Sequence, residues 1–240
     1  MILTRRHHQR LRDLYRSAGW PCRDMLEVEL LAAGLIARVV QPGGNETMRV
    51  TDAGVALLAE VLRSNRAART AHEALVERVA IEMGRAGRLA WRGLSLRARI
   101  QGEAEEKAPG RTAGWGIACP DVFSIRNTTV EARLEPIVHE VKVNRADLLG
   151  DLKKPAKRAA YLDVGGQCWY VLASNAAGKP IARPEEIPLE CGVMQAFGDR
   201  LEVLRPAPRR PVDRLPLHVW LALARATPVS GLMGDEQGLL

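Results

Sequence analysis

The sequence predicts an α/β protein: a small α+β domain at residues 1–66, a larger domain with a central sheet at 67–215, and a C-terminal helix and tail at 216–240. Three observations carry that expectation. Between residues 117 and 173 short, apolar, alternating runs read as strands, and a long basic stretch with helical spacing separates the second from the third. Near the start, a strand–turn–strand at 35–50 is bracketed by helical periodicity on both sides. Finally, 240 residues, 47% apolar and 26% charged, suffice for one large core or two small ones.

In chain order, residues 5–16 carry Arg5, Arg6, Arg10, Arg12 and Arg16 against one acid, Asp13, with Leu11, Leu14 and Tyr15 at helical spacing. His7 and His8 read as tail residues rather than ligands. Gly19-Trp20-Pro21 breaks this helix. A second is expected over 22–33, with Met25, Leu26, Leu30 and Leu31 inward and Gly34 as its stop. A strand at 35–40, the turn Pro42-Gly43-Gly44-Asn45 and a return strand at 47–50 follow. Thr51-Asp52 then caps a third helix in which Val55, Leu58 and Leu62 recur. This order resembles the close of a winged helix-turn-helix domain, the strand–turn–strand being its wing. The second helix carries Asp24, Glu27 and Glu29 against one base, Arg23, and carboxylates repel phosphates, so it is a poor reader of duplex DNA. Dimerisation or docking of a protein partner is the other role open to it. Residues 63–72 are polar and basic, a candidate helical linker.

The larger domain opens with a helix at 71–86, striped by Leu75, Val76, Val79, Ala80 and Met83, on or near which lie Glu73 and Glu77. Residues 85–99 hold five arginines and no acid. Residues 90–100 alternate like the first strand of a half-exposed sheet, whose arginines, Arg92 among them, are either phosphate contacts or a solvated edge. Residues 102–114 form a connector, acidic in its first half and expected to lie clear of an anionic partner. Strands at 117–126 and 134–143, a helix at 144–161 in two pieces around Pro155, a buried strand at 167–173 and an apolar helix at 215–226 with Trp220 complete the reading. Residues 227–240 are expected to fray.

The chemistry is expected where the two middle strands meet. One contains Cys119-Pro120-Asp121; the other reads His139-Glu140-Val141-Lys142-Val143. Alternation puts Glu140 and Lys142 on one face and His139, Val141 and Val143 on the other. Charges inside a sheet are costly unless paired or bound to metal. If Asp121 lies alongside, two carboxylates repel, and a divalent cation resolves the repulsion. Because His139 points away from Glu140, it reads as a core histidine rather than a base.

Pro120-Asp121 followed by Glu140-Val141-Lys142 resembles the PD-(D/E)XK nuclease superfamily. The order Asp147, Asp151, Lys153, Tyr161 after that strand, with the later Ile187-Pro188, Gly192-Val193 and Leu201–Pro208 segments, is similar to the MmcB-like branch of bacterial DNA-repair endonucleases. The resemblance covers about 70–215; the winged-helix part lies outside it. It implies a restriction-endonuclease-like mixed sheet flanked by helices and a magnesium-dependent (or manganese-dependent) DNA endonuclease acting in repair or recombination. Asp121 and Glu140, the Val141 carbonyl and Glu77 from the preceding helix are the implied metal ligands. Lys142 is the implied orienter of the attacking water. Asp147 and Asp151 either orient Lys142 or a metal-held water, or are surface acids paired with Lys153 or Lys154. With Tyr161, Lys153, Lys154 and Arg92, they form the outer ring of the expected site. The alternative is a catalytically silent nuclease fold that binds DNA or regulates transcription.

A net charge of +7 favours a polyanionic partner. Aromatics make up only 4% of the chain, so stacking on bases is not expected to be the main binding device. The cysteines, Cys22, Cys119, Cys168 and Cys191, have neither zinc-site nor disulfide spacing and suit a reducing cytoplasm. Neither a secretory leader nor a membrane span is expected. No GxSxG and no Cys–His arrangement supports acyl transfer.

Overall fold

The structure, a computed structural model, describes residues 2–100, 114–175 and 177–229. Two compact units divide at Arg69–Thr70.

The first unit contains α1 (Arg5–Arg16), α2 (Met25–Ala32), β1 (Ile36–Val40), β2 (Glu46–Val50) and the start of α3 (Asp52–Arg85). β1 and β2 are antiparallel, with Ile36 opposite Val50. Leu11 and Leu14 of α1, Leu30 of α2, Ile36, Met48 and Leu58 form its core. Thr51 accepts the Gly54 amide at 3.2 Å and so caps α3. The acids of α2 are spent inside this unit. Asp24 caps the helix by accepting the Glu27 amide and takes a bidentate grip from Arg10. Buried Glu27 accepts the amides of Cys22 and Arg23, and Glu29 meets the His7 ring. His7 is therefore a buried packing residue rather than part of a tail. Met25, expected inward, is exposed; the helix starts there, capped by Asp24. Val55 and Leu62 are also exposed.

The second unit is mixed α/β. Its six-stranded sheet runs β10-β9-β8-β7-β6-β3, with β3 (Arg88–Arg92), β6 (Val122–Arg126), β7 (Ile137–Lys142), β8 (Gln167–Leu172), β9 (Gly192–Phe197) and β10 (Arg200–Arg205). β7, β8 and β9 are parallel to one another, and the outer pairings are antiparallel. Between β7 and β8 the chain crosses over through α4 (Arg145–Leu152) and α5 (Pro155–Val164), split at Pro155 as expected.

Helices cover both faces. On one, Leu75, Val76, Val79 and Ala80 of α3 pack on Val122, Val141, Trp169 and Val171. On the other, Leu148 of α4, Ala160, Tyr161 and Val164 of α5, and Val219 and Leu223 of α6 (Leu217–Ala224) meet Phe123, Val138, Tyr170 and Leu172. With both faces covered, β7 and β8 are buried along nearly their whole length, and β7 carries His139, Glu140 and Lys142 inside. The helix expected to stand apart at the C-terminus is thus part of this core.

Two expected strands are each divided. Residues 90–100 break after β3 at Gly93, whose φ of 64° suits glycine, and resume as β4 (Leu96–Ile100). Residues 117–126 break at Cys119-Pro120-Asp121, separating β5 (Gly114–Ala118) from β6; Pro120 has no N–H to give a ladder. Among the described residues β4 and β5 pair only with each other, as a ribbon outside the sheet. The acidic connector before Gly114, and the tail from residue 230, lie outside the described residues. Among the described residues no helix is long and apolar enough to cross a membrane.

Candidate metal-binding and catalytic site

The break at Pro120 builds the site. β6 pairs with β7 only from Val122, which faces His139, so one residue further along Asp121 lies opposite Glu140. There Asp121 Oδ2 takes the place of a missing strand and accepts the Val141 amide at 2.7 Å. The Val141 carbonyl points to the same side as its amide, into the gap β6 has left. Asp121 Oδ1 lies 3.3 Å from His72 Nε2 of α3. Burial, and then the Glu140 charge, hold the Asp121 carboxyl above its ordinary pKa.

Glu140 is 3% exposed and fully engaged. Its Oε1 receives Lys142 Nζ at 2.8 Å and Lys157 Nζ at 2.6 Å, and its Oε2 receives the Tyr161 hydroxyl at 2.8 Å. That hydroxyl also lies 2.8 Å from the Cys119 carbonyl and ties the Pro120 break to α5. Lys142 further meets Asp147 at 3.2 Å and Asp151 at 3.6 Å. Burial opposes its charge most, but Glu140, Asp151 and Asp147 outweigh burial and its pKa is raised. Lys157 bridges Glu140 to Asp151 Oδ1 at 2.6 Å, and Tyr170 donates to Asp151 Oδ2 at 2.7 Å. Burial also resists the Asp151 charge, yet Lys157, Tyr170 and Lys142 hold its pKa down. The hydroxyls of Tyr161 and Tyr170 are raised by burial and by these same carboxylates, so both stay proton donors.

The structure thus brings together Asp121, Glu140, Val141, Lys142, Asp147, Asp151 and Tyr161. Glu77 is not among them: it is exposed and pairs with Arg92 at 3.9 Å. Lys153 and Lys154 are exposed at the junction of α4 and α5. His139 is fully buried on the far face, as alternation requires. Sequence reasoning missed Lys157, His72 and Tyr170 as members of the cluster. Only Lys157 left a usable signal: it precedes Tyr161 by one helical turn and so shares its face.

Among the described residues no three His, Cys, Asp or Glu side chains form a metal cage. Two carboxylates and a carbonyl do face one gap, a donor set that suits a hard cation such as magnesium, which keeps several waters. The residues therefore fit such an ion, with Lys157 as its competitor for Glu140.

No protein-family model matches the chain, and no curated protein does. A solved structure of a protein of unknown function from Silicibacter pomeroyi is similar over 62% of this chain and 79% of its own, with 20% identity and a TM-score of 0.39.

Proposed function

We propose that the chain is a metal-dependent DNA endonuclease with a restriction-endonuclease-like core, of the PD-(D/E)XK type and the MmcB-like branch, acting in repair or recombination. The convergence of Asp121, Glu140 and Lys142, with the Val141 carbonyl, at the point where β6 stops pairing carries this reading. The mixed sheet covered on both faces supports the fold assignment, and the helix–helix–hairpin–helix order of the first unit supports a winged-helix-like module.

In this reading Asp121, Glu140 and the Val141 carbonyl hold Mg²⁺ or Mn²⁺. A bound ion supplies Lewis acidity, making water a better nucleophile and offsetting charge on the phosphate. Lys142 keeps its proton, fixes the orientation of Glu140 and presents positive charge to the attacking water. Tyr161 holds the second Glu140 oxygen and anchors the Cys119 carbonyl, so the two halves of the motif move as one. Cleavage of single-stranded, duplex, mismatched and branched DNA in Mg²⁺ or Mn²⁺, run beside Glu140→Ala, tests the proposal; undiminished cleavage by that variant sinks it.

One observation favours a silent, DNA-binding role instead: both Glu140 oxygens already have protein donors. Under that reading Mn²⁺ does not bind, and DNA binding is unaffected by EDTA.

A further inference from the structure

The ribbon of β4 and β5 leaves the sheet at Gly93 and rejoins it at Cys119-Pro120, and carries a face that the cluster around Glu140 does not use. Strict alternation sets it: Leu96, Ala98 and Ala118 are buried, while Arg97, Arg99, Trp115 and Ile117 face outward. Arg99 is directly opposite Trp115, and Arg97 opposite Ile117. The indole is half exposed. The Arg97 and Arg99 guanidinium carbons lie 5.2 and 5.9 Å from its centroid, and His218 meets it edge-on at 5.2 Å. Neither guanidinium has an ion-pair partner among the described residues. Asp163 accepts the Arg99 backbone amide instead, at 2.8 Å. Alongside, a groove of about 470 Å³ between the ribbon and α6 is lined by Leu94, Arg97, His218, Leu221 and Arg225. A half-exposed aromatic ring flanked by two arginines with no ion-pair partner among the described residues is complementary to an unstacked base with its phosphates, since stacking tolerates any base and the cations meet the backbone. A duplex hides its base faces and offers the ring nothing.

We propose that the outer face of the β4–β5 ribbon binds single-stranded nucleic acid, with a base stacked on Trp115 and neighbouring phosphates held by Arg97 and Arg99. The ribbon joins the site at Cys119, whose carbonyl is held by Tyr161, so a strand gripped there is fed past Glu140. Only this last point rests on the endonuclease reading; the binding stands without cleavage.

The test is fluorescence anisotropy in EDTA with the full chain and a labelled oligodeoxythymidine of about 12 nucleotides, beside the matching duplex and an oligouridine. The wild type binds either single strand more tightly than the duplex. Trp115→Ala weakens that binding about tenfold or more, while Trp115→Phe, which keeps a ring face, retains most of it. Arg97→Ala with Arg99→Ala makes the salt dependence shallower by about 1.4 in log–log slope. Thermal melting of each variant checks the fold, which an exposed ring does not hold together. Tight duplex binding indifferent to Trp115, no oligonucleotide binding, or a folded Trp115→Ala that binds within about twofold of wild type overturns the proposal. Cleavage lost in Glu140→Ala with binding intact in Trp115→Ala refutes the ribbon alone. The reverse pattern, no cleavage by wild type but Trp115-dependent binding, refutes only the endonuclease.

Discussion

Lowering the pH from 7 to 5 should destabilise the second unit through one residue, His139. Its ring is fully buried in β7, neither nitrogen has a hydrogen-bond partner among the described residues, and burial with the nearby Arg88 charge depresses its pKa from 6.5 to about 3. Since the folded value is the lower one, the unfolded chain takes up the proton first. The contribution of neutral His139 is complete above pH 6.5 and is lost as the pH falls from there toward 3. Between pH 7 and 5 the loss is roughly 2 kcal/mol, at about 1.4 kcal/mol per unit once below 6.5. Carboxylates add their own pH dependence: Asp151 is held down, so its contribution is lost in acid, whereas Asp121 is raised and acts in the opposite sense. A His139→Leu variant keeps both and removes only the imidazole, so the comparison isolates it. Urea unfolding at both pH values, followed by tryptophan fluorescence, to which Trp91 and Trp169 of the second unit contribute, should show the wild type losing roughly 2 kcal/mol more than His139→Leu. Equal losses, or an imidazole resonance of His139 titrating near 6.5, refute both the burial argument and its exclusion from the site.

Three further outcomes follow from the same contacts. Lys157→Met removes the ammonium that competes for Glu140 Oε1, so Mn²⁺ affinity measured by calorimetry rises about tenfold; an unchanged affinity removes Glu140 from the ligand set. Tyr161→Phe deletes the single hydroxyl proton that Glu140 and the Cys119 carbonyl share. It costs about 1 kcal/mol in urea unfolding and slows cleavage without weakening oligonucleotide binding. Arg205→Ala frees the carbonyls of Pro184, Ile187, Pro188 and Cys191 from one guanidinium and lowers stability by about 3 kcal/mol, read by the same unfolding assay.

What the sequence made legible was what period and polarity encode locally. Glu140 and Lys142 on one face with His139 on the other followed from alternation in a buried strand, and Pro155 marked the division of the crossover helix. The divisions at Gly93 and Pro120 were not legible, because a strand pattern continues across each of them. Only the three-dimensional partner shows that β4 and β5 leave the sheet. That missed break hid the arginine-flanked Trp115, which a 4% aromatic content had argued against. Lys157 and Glu77 show the same limit from opposite sides. Both are charged residues on helices, and helix rotation turns one toward Glu140 and leaves the other on Arg92.

Metal-dependent cleavage at Asp121 and Glu140 is tested by incubating wild type, Glu140→Ala and Asp121→Asn with single-stranded and branched DNA in Mn²⁺, and again in EDTA. New strand ends should form with wild type in Mn²⁺ alone, and none with either variant. Cleavage that persists in EDTA or in folded Glu140→Ala, or none from wild type with any metal or substrate, contradicts it.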